Sequence, residues 1–135
     1  MEWREYWLKA SENLEVALLA FKRKKHNVCA GLAYYAVFQA SIAALIKLTE
    51  LRARDDEWGH GQVQAELNRR LIMRRKVLPA GIGRIPMDLI ELRHLADYMP
   101  ESVSGKEAKW AYDGSRRFLK AVAIALEDTH ETGHK

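Results

Sequence analysis

The residues best suited to chemistry lie in one short segment, residues 91–98, with the sequence Glu-Leu-Arg-His-Leu-Ala-Asp-Tyr. Arg93 and Asp97 are four residues apart, which places them together on a helix, at the margin of its core stripe. A guanidinium fork matches the geometry of a phosphate, and a neighbouring carboxylate would hold the fork in one orientation. The segment therefore predicts an anion site on Arg93. The simpler alternative is a surface ion pair contributing about 0.3–0.5 kcal/mol.

Two further side chains of this segment point away from Arg93. At about 100° per residue, His94 is directed to another side of the helix, which favours a surface histidine over a base for the same phosphate. Tyr98 lies about 100° beyond Asp97, toward another surface or the helix end. We include Tyr98 with Arg93 and Asp97 in the predicted phosphate- or nucleotide-binding set.

His60 is a second candidate, because Gly59 and Gly61 on either side let the backbone bend there. One interpretation is that His60 caps a helix or fills a packing gap. The other is that its imidazole faces a cleft and acts beside Arg93, in the same subunit or across a dimer.

Basic residues cluster at the predicted ends of two helices. Such clusters suggest nucleic-acid contacts, but cations at helix C-termini also complement the helix dipole. The net charge is only +4, from 22 Lys and Arg against 18 Asp and Glu, so solvated helix ends are the simpler interpretation. The candidate contacts are Arg69, Arg70, Arg74 and Arg75, with a second basic run at residues 22–25.

Signatures of the common enzyme classes are missing from the sequence. It has no HExxH, Walker loop, G-x-S-x-G elbow or dinucleotide fingerprint, and no Cys/His cluster has zinc spacing. The single cysteine, Cys29, cannot form an internal disulfide and is expected in the core. We therefore expect neither a metal nor a cofactor.

Helical periodicity covers most of the chain, and no run has the alternation of a strand. A capping box, Ser104 with Glu107, opens the last helix. With 135 residues and 48% hydrophobic composition, the chain predicts one all-α domain, an up-and-down bundle whose tail, residues 129–135, frays. The five predicted helices cover residues 2–25, 28 to about 50, about 62–76, about 86–99 and 104 to about 128.

Residues 28–46 are nineteen residues without a charge, close to the length that crosses a bilayer. Gln39, Ser41 and six alanines dilute the apolarity, so a central helix buried in its own domain is the better explanation. The chain begins without the pattern of a secretory signal, and we expect a cytoplasmic protein with no membrane contact.

Taken in order, these features resemble the HEPN superfamily, named for a higher eukaryotes and prokaryotes nucleotide-binding domain. The Ala-x-Tyr-x-x-Phe-x-Ala pattern of residues 33–40 and the Arg-x-x-Ala-Asp-Tyr pattern of residues 93–98 make the resemblance specific. The other matching features are residues 10–14, His60 and a final helix with Phe118 and Leu119.

The resemblance implies a small helical bundle that forms a homodimer. Members are often partners of minimal nucleotidyltransferases in toxin–antitoxin pairs, and many cleave RNA without a metal by an Arg and a His separated by four to six residues. From Arg93, the permitted positions hold Tyr98, Met99 and Pro100, so this signature fails. Asp97 is too acidic to replace the histidine as a base. The formal match from Arg54 to His60 lies in a loop, away from the place of the family motif.

Three functions remain open. The first is a nucleotide- or RNA-binding module that is the helical partner of a nucleotidyltransferase. The second is a metal-independent endoribonuclease in which Arg93 stabilises the phosphorane and His60 takes the proton. The third is a structural dimeric scaffold in which Arg93 and Asp97 only brace their helix.

Overall fold

The computed structural model describes residues 2–49, 51 and 58–132, with side chains through residue 127. The described residues form a bundle of α-helices and contain no strand, as the sequence predicts. A π-helical segment, Leu67–Arg74, continues directly from the third helix, and a single 3₁₀ turn, Ala80–Ile82, precedes the fourth. The helices are α1 (Glu2–Lys22), α2 (His26–Leu48), α3 (His60–Glu66), α4 (Ile85–Tyr98) and α5 (Gly105–Thr132).

The second helix is the centre of the bundle. It contacts α1, α3, the π-helical segment, α4 and α5. Its alanines, including Ala33, Ala36 and Ala40, are fully buried, and their small side chains let the neighbouring helices approach closely. By length and hydropathy α2 could cross a membrane, but 72% of its apolar window is buried inside the bundle. The burial supports the interpretation of a core helix.

The turn between α1 and α2 is set by Lys24, which takes a positive φ of 59°. The Lys25 N–H bonds the Ala20 carbonyl at 2.8 Å and the Lys24 N–H bonds the Phe21 carbonyl at 3.0 Å. This Schellman arrangement satisfies the last carbonyls of α1. It ends α1 at Lys22, earlier than the predicted residue 25, and lets α2 begin at His26.

The third predicted helix differs most from expectation. It starts at His60 and changes to π-helical winding from Leu67. In an α-helix, at about 100° per residue, a side chain four residues further along lies about 40° ahead around the helix axis. In a π-helix, at roughly 82° per residue, the same step places it about 32° behind. The change therefore brings Leu71 back to the face that Val63 occupies, and both side chains are buried.

The last two helices confirm their predicted starts. Pro86 lies in the first turn of α4, where its missing N–H costs nothing. The capping box forms at α5, with the Ser104 N–H bonding Glu107 Oε1 and the Glu107 N–H bonding Ser104 Oγ, both at 3.0 Å. The backbone of α5 is helical to Thr132. Residues 133–135 lie outside the described residues, so the frayed tail expected over 129–135 stays a prediction.

A buried hydrogen bond ties α5 to α2 beside the candidate site. Ser115 Oγ donates to the Ala33 carbonyl at 2.9 Å, and Ser115 is fully buried. Ala33 directly precedes Tyr34 and Tyr35, so this bond fixes where those two rings lie relative to α5.

Candidate functional site

Arg93 lies on α4 with its guanidinium against the tyrosines of α2. Its Cζ is 5.0 Å from the ring centroid of Tyr35 and 5.7 Å from that of Tyr34. Only 18% of the Arg93 side chain is exposed. Such cation–π contacts stabilise a charge of this kind by about 0.5–2 kcal/mol, so Arg93 is held in place from the aromatic side.

Asp97 approaches the same guanidinium from one turn further along α4. Arg93 Nε lies 3.3 Å from Asp97 Oδ2, which confirms the predicted ion pair. The Nε–H is not aimed at that oxygen, however, and Nε has no hydrogen-bond partner among the described residues although it is buried. The contact is therefore electrostatic, and it leaves one donor of the fork unused.

His60, the first residue of α3, contacts the same tyrosines. Its Nδ1 forms a hydrogen bond with the hydroxyl of Tyr34, and its ring stacks on Phe38 with centroids 4.4 Å apart. The His60 and Tyr34 ring centroids are 5.4 Å apart. Tyr34 therefore contacts both His60 and Arg93. We call Tyr34, Tyr35, Phe38, His60 and Arg93 the Arg93–His60 cluster.

Burial and the Arg93 charge set the protonation states of this cluster. Burial raises the pKa of Tyr34 to about 12, an effect that Arg93 opposes and Tyr35 reinforces. Burial lowers the pKa of His60, and the positive charge of Arg93 lowers it further. At neutral pH the cluster therefore holds a protonated phenol, a neutral imidazole and a charged guanidinium.

The HEPN domain family model matches residues 3–127, most of the chain and all of the cluster. The chain belongs to the HEPN family. No curated protein matches it. Membership supports a module related to nucleotides or RNA, and the HEPN bundle brings His60 and Arg93 to one cluster although they are 33 residues apart in the sequence.

Sequence reasoning missed part of the Arg93–His60 cluster. Tyr34 and Phe38 belong to the pattern that carried the resemblance, but neither they nor Tyr35 were candidates for the site. Of the two parts of the simpler interpretation of His60, helix capping is wrong, because Gly59 is the N-cap of α3 and no side chain caps it. Packing is confirmed, because the His60 ring stacks on Phe38. The signal that could have found the cluster is the pair of adjacent tyrosines on an otherwise small-residue helix.

The remaining residues of the predicted set, Asp97 and Tyr98, are more exposed than Arg93. Asp97 is 43% exposed, and Tyr98 is 66% exposed at the end of α4. Tyr98 contacts the ring of His94, with centroids 5.3 Å apart, and not Arg93. Arg54, the other arginine considered with His60, lies outside the described residues.

The four candidate arginines of the π-helical segment and its end are used in different ways. Arg69 and Arg70 both bind Glu66, at 2.6 and 2.7 Å, and these bonds lower the pKa of Glu66. Arg75 donates to the Leu48 carbonyl at the end of α2. Arg74 is exposed. With Arg70 and Arg75 it lines a cavity of about 630 Å³ that also includes Lys47.

A second cavity, of about 580 Å³, lies between the start of α1 and the end of α5 and is lined by Trp3 and Trp7. The guanidinium of Arg4 and the ammonium of Lys47 both lie over the Trp3 ring, 4.7 and 4.4 Å from its centroid. Neither this cavity nor the arginine-lined one includes Arg93 or His60. No group of three or more metal-ligating side chains occurs in the part of the chain that the structure describes.

Proposed function

We propose that this HEPN chain is a nucleotide- or RNA-binding module that takes a phosphate on Arg93. The observation that carries the proposal is the position of the Arg93 guanidinium, which the rings of Tyr34 and Tyr35 and the carboxylate of Asp97 hold while 18% of the side chain stays exposed. A guanidinium that is fixed in position and still partly exposed can form charge-assisted hydrogen bonds with a phosphate.

The binding groove in this proposal is completed by a second copy of the chain. Arg93 lines neither of the two cavities described above. In this proposal a homodimer places a second surface over Arg93 and the half-exposed Asp97 and supplies the other wall of the groove, and the exposed Tyr98 at the end of α4 contributes to the same phosphate-binding set. Arg69, Arg70, Arg74 and Arg75 would contact nucleic acid further away, with Arg74 the most available of the four.

The biological setting belongs to the proposal as well. The module would be cytoplasmic and would act as the helical partner of a minimal nucleotidyltransferase, in a pair of the toxin–antitoxin type. The family membership is what supports this setting.

The test is binding of a fluorescently labelled single-stranded RNA, and of ATP in a separate arm, at one fixed salt concentration. Arg93→Met keeps the apolar stem and removes the fork, and we expect it to weaken binding by about 10- to 100-fold. Arg116→Met, which removes an exposed arginine of α5, is the matched control and should bind like the wild type apart from a small salt-dependent loss. Equal affinities of the Arg93 and Arg116 variants would contradict the proposal. Sedimentation of the free protein tests the homodimer.

A second candidate, a metal-independent endoribonuclease, is favoured by one observation. His60 is neutral at pH 7 and shares Tyr34 with the cation that would stabilise a phosphorane. Incubation of the protein with RNA in EDTA tests it. Cleavage that disappears in His60→Ala would establish this candidate over simple binding.

The scaffold alternative predicts a different pattern. If Arg93 only braces α4, then Arg93→Met lowers the melting temperature and leaves RNA, ATP and partner binding unchanged.

A further inference from the structure

Among the described residues, one acceptor is available to the hydroxyl proton of Tyr34. Tyr34 is only 3% exposed, and among the described residues its hydroxyl is hydrogen bonded to one group, His60 Nδ1. Arg93, the charged group nearest its ring, carries donors only. A buried O–H that donates to nothing is destabilising, which makes Nδ1 the acceptor of this bond.

A neutral imidazole that accepts at one nitrogen carries its proton on the other. We infer that Tyr34 is a positioning residue that holds the His60 proton on Nε2, so that His60 offers a hydrogen-bond donor to a phosphate oxygen bound on Arg93. The inference rests on the proposed function for its ligand, a phosphate ester, but not for the tautomer, which the fold alone sets.

Contacts with aromatic rings also restrict the orientation of the His60 imidazole. Phe38 covers one face of His60 by stacking, and Tyr34 and Tyr35 approach it at ring-centroid distances of 5.4 and 6.5 Å. With Nδ1 occupied, Nε2 is the polar atom left for a ligand, and it has no hydrogen-bond partner among the described residues. His60 is itself partly exposed.

A proton on Nε2 suits His60 for phosphate binding and not for RNA cleavage. A base that takes the proton of a ribose hydroxyl needs a lone pair on the atom that faces the hydroxyl. Nε2–H has none, so His60 held by Tyr34 binds a phosphate and does not deprotonate RNA. Arg93 and His60 then act as two donors on one anion, a cationic fork and a neutral N–H.

The tautomer is measured directly by long-range ¹H–¹⁵N correlation NMR on the ¹⁵N-labelled full chain at about pH 7.5, above the usual pKa of histidine. His60→Gln assigns the signals. We expect Nε2 protonated and Nδ1 bare in the wild type, a mixture of tautomers in Tyr34→Phe, and no change in Tyr35→Phe. A wild-type spectrum with the proton on Nδ1 overturns the inference, and this result needs no variant to fold. A single unchanged tautomer in folded Tyr34→Phe also overturns it.

The binding arm uses the labelled RNA and ATP, which distinguish a polymer phosphate from a free nucleotide. Glutamine can offer an N–H near the position of Nε2, so His60→Gln should keep binding within about threefold, whereas His60→Leu should lose roughly tenfold. Equal losses in both variants contradict the donor role. If the expected tautomer is found but neither probe binds the wild type, the proposed function fails and the role of Tyr34 in setting the tautomer stands.

Discussion

The guanidinium of Arg93 lies 5.0 Å from the ring centroid of Tyr35, so a helix-surface arginine is held against the central helix of the bundle. The ring stabilises the charge without using any of its N–H groups. Asp97 adds an ion pair from the next turn of α4. Arg93 is thus fixed in position while part of its side chain stays exposed, which is the combination an anion site requires.

The fork of Arg93, and not only its charge, should matter for binding. Lysine keeps the charge but has no planar fork and stacks less well on a tyrosine. We expect Arg93→Lys to weaken RNA binding by about three- to tenfold in a fluorescence anisotropy titration. Arg116→Lys makes the same change on the exposed face of α5 and should have no effect. Full affinity in Arg93→Lys would show that charge alone is sufficient.

Asp97 should make a small contribution both to stability and to binding. The Asp97 side chain is 43% exposed, so the ion pair is partly solvated. Asp97→Asn should therefore lower the free energy of unfolding by only about 0.3–0.5 kcal/mol, or the Tm by about 1–2 °C. Loss of the carboxylate lets the fork rotate, and we expect RNA binding to fall by about twofold.

Asp113 provides a matched control for this change. It pairs with Lys109 at 2.8 Å, four residues apart on α5, and is 41% exposed. Asp113→Asn should show a similar small drop in Tm and normal RNA binding. The prediction for Asp97 is wrong if the two variants bind RNA equally.

The lowered pKa of His60 predicts a pH-dependent stability. Burial and then Arg93 lower it in the folded state, whereas the unfolded chain keeps a value of about 6.5. The unfolded state therefore binds more protons in the window between the two values, so stability falls as pH drops below about 6.5. Among the described residues, the polar groups that lie near His60 are Tyr34, Tyr35 and Arg93.

Urea midpoints between about pH 8 and pH 5 check this prediction. The stability of the wild type should fall relative to His60→Gln as the pH decreases. His94→Gln, which removes an exposed histidine of α4, should follow the wild-type curve. Parallel curves for the wild type and His60→Gln would contradict the linkage.

The hydrogen bond from Ser115 to the Ala33 carbonyl should contribute measurably to the free energy of unfolding. Ser115→Ala removes a buried hydrogen bond at 2.9 Å and should cost about 0.5–1.5 kcal/mol. In a thermal melt this corresponds to a decrease of roughly 2–6 °C. Ser102→Ala, at an exposed position with a contact of 3.5 Å, should melt like the wild type. No difference between the two variants would show that the α2–α5 bond adds nothing.

The sequence predicted those parts of the molecule that depend on neighbouring residues. The Arg93–Asp97 pair, the Ser104–Glu107 cap and the Pro86 start of α4 each lie within one turn, where helix geometry is known in advance. The central position of α2 was also predictable, because nineteen residues without a charge must be covered by something.

The parts that failed depend on how separate helices meet. Whether Tyr34 meets His60 is decided by the rotation of α2 against α3, which no local pattern records. The π-helical winding from Leu67 was missed for a related reason: a helical period of 3.6 was assumed throughout, and that period already places Val63, Leu67 and Leu71 on one face.

The charge-free stretch of α2 also has a consequence for the nascent chain. Of the helices described in this bundle, α1 alone is synthesised before residues 28–46, because α3, α4 and α5 follow later. The growing polypeptide therefore presents a helix apolar enough to attract chaperones or a lipid surface until its C-terminal half emerges. Early pairing of α1 with α2, closed by the turn at Lys24, shortens that period of exposure.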